Sequence, residues 1–156
     1  LFPLSMTSTQ LIARAISIAC SGMFAGASVY INLVEHPARM ECGTNLAATV
    51  FPGSYRRAAL MQASLAATGC ISSAVAYYAG SSVNWLIGGV LLGAVVPFTL
   101  LGIMPTNKKL LNPKVEKDSP VTHKLLVKWG RLHAVRSVLS VASFLLFLET
   151  LILAKK

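Results

Sequence analysis

Two short stretches hold most of the side chains that could take up a proton or hold an anion. One reads Asn32-Leu-Val-Glu35-His36-Pro37-Ala-Arg39. Asn32, Glu35, His36 and Arg39 fall at i, i+3, i+4 and i+7, one face of a helix. Backwards along that face come Ser28, Ala25, Ser21 and Arg14, a small and polar stripe suited to a bundle interior. The other stretch, Trp129-Gly-Arg131-Leu-His133-Ala-Val-Arg136, puts Trp129, His133, Arg136 and Ser140 on one face. Together they suit a polar pocket lined by Asn32, Glu35, His36, Trp129, His133 and Arg136, with Gln62 and Asn107 placed to add hydrogen bonds. Ionisable groups within apolar sequence mark a functional site by default. The structural alternative is an ion pair with interfacial aromatic and histidine anchors. His36 and His133 are also two strong ligands for a haem or a metal ion. Only Glu35 could join them, so no cofactor or metal is predicted and the haem or metal site is the minor reading. His123, in a charged loop, reads as solvated.

The elements that must carry these residues are apolar. Of the 156 residues, 54% are hydrophobic and 12% charged, where soluble domains carry roughly 25% charged residues. One domain this short cannot bury so much apolar surface in a core, and the same composition excludes disorder. The sequence predicts an all-α integral membrane protein, one domain over 1–156, folded as a four-helix up-down bundle. A bilayer core of about 30 Å takes about 20 helical residues. Spans are expected over about 10–33, 58–79, 84–104 and 129–153, separated by His36-Pro37, Phe51-Pro52-Gly53, Gly80-Ser81-Ser82 and Pro105-Thr106-Asn107. Pro97 should kink the third.

The net charge of +9 does not point to nucleic acid, because nine of the basic residues lie in the two long loops, 34–57 and 105–128. Against them stand Lys155 and Lys156 beyond the last span. This bias places both loops on the cytoplasmic side, or on the matrix or stromal side of an organelle inner membrane, with both termini opposite. The threading gathers the reactive residues at the basic face. Arg136, about two turns inside its span, needs a partner at that depth. Glu35 is the only acid near it, so the two are expected to pair.

Gly22-x-x-x-Gly26 and Gly89-x-x-x-Gly93 read as close helix packing. Cys20, Cys42 and Cys70 are too few and scattered for a disulfide framework. Cys20 and Cys70 fall at similar depths, which would allow them to be neighbours, and they read as two small core residues. The first methionine is Met6, and Leu1 to Gln10 lacks the charge and apolar run of a signal peptide. The true start of the chain is therefore left open, with processing, truncation or an upstream start as readings.

The stretches Gly22-Met-Phe-Ala-Gly-Ala-Ser-Val-Tyr-Ile-Asn32, Glu35-His36-Pro37-Ala-Arg39 and Phe51-Pro-Gly-Ser-Tyr-Arg56 resemble a known family. So do Pro97-Phe-Thr, Met104-Pro-Thr-Asn107-Lys-Lys-Leu-Leu and Trp129-Gly-Arg-Leu-His133-Ala-Val-Arg136. Over about residues 12 to 152 the chain is similar to the anthrone oxygenase-like family of small four-helix membrane proteins. The resemblance implies a four-helix bundle. For some fungal members it implies oxygenation of an anthrone to an anthraquinone with no recognised cofactor. The family's polar residues map onto His36, Asn107, Trp129, His133 and Arg136. On that footing His133 is the expected base, Arg136 and Asn107 stabilise the anion, and Trp129 stacks on the ring. Asn32, Glu35, His36 and Gln62 are the expected substrate-binding residues.

Two functions compete at this level. One is a membrane oxidoreductase or oxygenase acting on a lipophilic aromatic, anthrone- or quinol-like, at the basic interface. The other is a non-catalytic subunit of a larger respiratory or photosynthetic assembly. Glu149 favours the second, since it lies opposite the His133–Arg136 stripe and a partner helix could satisfy it, unless it snorkels. A transporter is weaker, since no inverted repeat is evident. The expected partners are thus the bilayer, a lipophilic small molecule and other membrane subunits at the Glu149 face. A catalytic pocket requires His36 and His133 to face the interior and line a cavity, with Trp129 at its rim.

Overall fold

Thr7 Oγ1 accepts a hydrogen bond from the Gln10 amide (3.2 Å), and Gln10 Oε1 accepts one from the Thr7 amide (3.0 Å). This reciprocal cap satisfies two donors at the start of the first helix. Before the last helix, Ser119 Oγ accepts from the Thr122 amide (3.2 Å), and Pro120 opens the helix where no donor is needed. Between these points the computed structural model, which describes residues 6–153, is helical almost throughout. The first five residues of the uncharged start, and Lys155 and Lys156, lie outside the described residues.

The helices Ser8–Glu41, Thr44–Tyr78, Val83–Leu110 and Pro120–Leu153 are each long and apolar enough to cross a membrane. No strand occurs among the described residues. The first helix packs on the second and fourth, the third packs on the same two, and the diagonal pairs scarcely touch. This is the all-α, four-helix membrane bundle expected. Leu33, Leu60, Leu101 and Val138 stand on its outer surface, as a lipid-facing wall requires.

The loops differ from expectation. The stretch 34–57 contracts to a turn at Cys42-Gly43, where Gly43 adopts φ +91°, a left-handed conformation that costs glycine least. The stretch 105–128 contracts to about 111–119. The helices run past the expected spans because the prolines do not stop them. Pro52 is inside the second helix. Pro37 and Pro105 each follow a π-helical turn, Ile31–Glu35 and Thr99–Ile103. A proline ring collides with the carbonyl four residues back and donates no bond to it. A widened turn relieves that collision and lets the helix go on. The irregularity expected at Pro97 is present, and the helical ladder breaks at Ala94, three residues earlier. The turn at Gly80 falls where expected, with φ +96°.

Three apolar clusters hold the bundle. Trp85 stacks on Phe147 (5.1 Å) at the end holding the termini, with Arg14 over its ring (5.4 Å). Phe24, Ala66, Leu92 and Val95 fill the middle. Phe51, Ile103, Leu126 and Trp129 fill the end towards the basic turns. Cys20, Cys42 and Cys70 are free thiols. The two glycine motifs behave unequally. A methyl on Gly89 would strike Ser73, and one on Gly22 would press on the Phe144 ring, whereas Gly26 has nothing within 4 Å. The first motif therefore uses only its first glycine.

Gly89→Val should accordingly lower stability by about 1–3 kcal/mol through overpacking. Gly26→Ala should be neutral or stabilising, by up to about 1 kcal/mol of helix propensity. Thermal unfolding of both variants in one mild detergent checks the contrast, and equal losses would contradict the packing described.

Candidate functional site

Asn32 lies on the π-helical turn of the first helix and reaches across to the fourth. Its Nδ2 donates to the Gly130 carbonyl (2.9 Å). A carbonyl can only accept, so this bond orients the amide and turns Oδ1 towards His133 and Ser137. Ser137 Oγ donates to Oδ1 (2.7 Å), and His133 Nδ1 lies 2.7 Å from the same oxygen. An amide oxygen cannot donate, so the proton on His133 sits at Nδ1. In the neutral ring Nε2 is then the free basic nitrogen. His133 is buried, 2% exposed, and its ring stacks on Trp129 (4.8 Å, 28°).

Beside His133 lies a cavity of about 20 Å³, room for one or two waters. Its wall includes Glu35, Arg39, Tyr55, Gln62, Trp129 and Arg136. Arg136 Nη2 donates to Gln62 Oε1 (2.6 Å), and its guanidinium stands over the Phe24 ring (5.4 Å). The one ion pair among the described residues is Arg39–Glu35, at 3.7 Å. Four buried donors on the cavity wall have no protein partner: Arg39 Nε, Gln62 Nε2, Trp129 Nε1 and Arg136 Nε. Each such group costs about 1–3 kcal/mol when left unbonded. These donors suit acceptor oxygens, and Arg136 makes no ion pair with the one carboxylate in the wall, Glu35.

Several expected site residues sit differently. Glu35 does not pair with Arg136, because it is engaged by Arg39 one turn on and Gln62 has taken the Arg136 guanidinium. His36 is buried but lines no part of this cavity. The Cδ2–Nε2 edge of its ring lies against Gly130, so closely that a methyl there would overlap it, and the ring tilts against Trp129 (5.2 Å). Asn32 also stands behind the cavity and touches it only through His133. Trp129 is in the wall rather than at a rim, 5% exposed, with the Phe51 edge against its face (5.2 Å, 89°). Asn107 is fully buried and outside the cavity, and its Nδ2 donates to the Tyr55 hydroxyl (3.1 Å). Glu35, Gln62, Trp129, His133 and Arg136 do share the cavity wall. Among the described residues no three of His, Cys, Asp and Glu gather as a metal-holding group.

Tyr55, Ser54 and Phe51 complete the wall and were missed as site residues. They belong to Phe51-Pro-Gly-Ser-Tyr, which reads as turn chemistry because of its Pro-Gly. Only its two aromatics hinted at more.

A family profile described as anthrone oxygenase matches residues 51–146, a stretch that holds Tyr55, Gln62, Asn107, Trp129, His133 and Arg136. Anthrone oxygenase tpcL of Aspergillus fumigatus is 30% identical over 139 residues, covering 82% of this chain and 86% of the relative. No solved structure matches.

Asn32→Leu keeps the volume but removes the amide. The His133 ring should then lose its single tautomer, and 15N spectra of labelled imidazole should change from a protonated Nδ1 to a mixture of tautomers. An unchanged spectrum would refute the Asn32 assignment. Gly130→Ala should push the His36 ring off the fourth helix and lower stability by about 1–3 kcal/mol, as overpacking does, read as a fall in unfolding temperature.

Proposed function

The chain belongs to the anthrone oxygenase family, and from that premise we propose that it oxygenates a lipophilic, acidic aromatic of the anthrone or quinol class within the membrane. The observation that carries this reading is the imidazole of His133, presented with a free Nε2 beside unpartnered cationic and amide donors. Nε2 removes a proton from a ring CH2 group activated by a carbonyl across the ring. The electron pair moves to that oxygen, and Arg136, Gln62 Nε2 and Trp129 Nε1 supply the donors that stabilise the resulting enolate. The carbanionic carbon reduces dioxygen and bonds to it as a hydroperoxide. Loss of the second C–H proton with cleavage of the O–O bond releases water and leaves a ketone. The sum is CH2 plus O2 giving C=O plus H2O, and it balances without a further oxidant. Asn107 acts here through Tyr55 as a positioning residue, and Asn32 does the same through His133. The distribution of basic residues supports an orientation with this end of the bundle at the cytoplasmic, matrix or stromal face.

A second reading is membership of a membrane assembly. Its support is Glu149, which stands exposed on the outer face of the fourth helix and would gain from a polar partner there.

His133→Ala should lower turnover of a hydroxyanthrone by at least about 10²-fold, the usual contribution of a general base. Oxygen uptake and quinone absorbance measure it, and circular dichroism shows that the bundle persists. Activity that falls only in proportion to folded protein would refute the base role.

A further inference from the structure

The cavity beside His133 is too small for an aromatic ring system, but it shares a wall with a larger one. Tyr55, Ala59, Gln62 and Arg136 line both. The second chamber has about 140 Å³, roughly ten times the room that one water needs. It lies between the second and third helices. The third helix contributes Val95, Val96, Thr99 and Leu100, the stretch that runs from just after its break at Ala94 into the start of its π-helical turn. The second contributes Ala59, Ala63 and Ala66, one face that holds no bulky side chain against it. Apart from the shared polar wall and Thr99, whose hydroxyl donates to the Val95 carbonyl, the lining is apolar. Ala63, Val96 and Leu100 are also exposed on the outside of the bundle, so the chamber opens sideways towards lipid rather than towards the basic end. Gln62 and Arg136 are 1% and 8% exposed, and each brings an unpartnered N–H to the wall between the chambers.

We propose that this chamber is the seat of the ligand's fused-ring body, entered laterally from the bilayer between the second and third helices. The ligand's oxygen-bearing edge meets Gln62 and Arg136. The inference rests on the oxygenase reading for the identity of the ligand but not for the existence of the seat. Apolar rings find an apolar chamber of matching size, and their oxygens find the donors that the protein leaves unbonded. The alanines at 59, 63 and 66 are specificity residues, because each sets the width of the slot. The small cavity beyond is left for the carbon to be oxygenated and for dioxygen.

The test uses 1,8-dihydroxyanthraquinone, whose visible absorbance reports binding without turnover. It is titrated into the full-length chain in lipid nanodiscs. Ala63→Phe and Val96→Phe fill the mouth from exposed positions where no core side chain is displaced, so both should fold. Each should weaken binding roughly tenfold or more, as a built-in clash does, while Val138→Phe, on the outer surface and away from the chamber, binds as the wild type does. In turnover with a hydroxyanthrone, the same two variants should raise KM for the aromatic and leave KM for dioxygen unchanged. Wild-type binding by both variants would overturn the seat. So would a rise confined to KM for dioxygen, which would make the chamber a gas route. Binding that depends on Ala63 in a protein that never consumes oxygen would sustain the seat and sink the oxygenase reading. Turnover with binding indifferent to both variants would do the reverse.

Discussion

The hydrogen bond from Asn32 Nδ2 to the Gly130 carbonyl is the constraint on which the chemistry of this bundle depends. It involves neither a charge nor a titratable group. By orienting one amide it decides that His133 carries its proton on Nδ1, and so which nitrogen is free to act as a base. Reversal of that amide would offer His133 an N–H donor and turn the basic nitrogen away from the cavity. The bond also sets distances. It needs the first and fourth helices close enough for a short side chain to reach main chain. Gly130 permits this, because the His36 ring occupies the space that any larger residue would take. His36 thus serves the site from outside it, as packing that keeps two helices in register.

Arg136 supplies the second half of the argument. An arginine within a membrane span costs several kcal/mol unless its charge is met. Here it receives an amide oxygen from Gln62 and the face of Phe24, and no carboxylate. The acid that might have neutralised it, Glu35, is spent on Arg39. The pocket therefore carries a standing positive charge in a medium that screens little. On the oxygenase reading, an enolate formed beside Arg136 would be stabilised by that charge, whereas its neutral parent would not. A difference of that kind between ground state and anion is how such a site would accelerate proton removal. A Glu35–Arg136 pair would have cancelled it.

The fold was legible because apolar run length is a strong signal and the basic residues are so unevenly spread. The residue set was legible in outline, since Gln62, His133 and Arg136 do share one cavity wall. The partnerships were not. Counting i, i+3, i+4 and i+7 from Asn32 assumes an uninterrupted α-helix, but a π-helical turn runs through Ile31–Glu35 and shifts the faces on either side of it. That is why Glu35 was assigned to the wrong arginine and why Asn32 and His36 were placed in the pocket rather than behind it. The prolines misled in the same way. Pro37, Pro52 and Pro105 read as helix ends, yet each sits in a continuing helix, so two long loops were expected where the chain turns almost at once. Tyr55 was hidden by that error, since a residue assigned to a loop is not considered for a helix face.

The two π-helical turns have one origin and two consequences. Each precedes a proline by two residues, and each widens the helix where a proline ring would otherwise strike a carbonyl. In the first helix the widened turn carries Asn32 and lets it reach Gly130. In the third, the stretch from the break at Ala94 into the π-helical turn supplies Val95, Val96, Thr99 and Leu100, which line the larger chamber. A straight third helix would run its side chains in an even row against Ala59, Ala63 and Ala66 and close that space, as straight helices close the rest of the bundle. The same covalent feature, a ring that cannot donate a hydrogen bond, thus accompanies the oriented His133 imidazole in one helix and the open chamber beside the other.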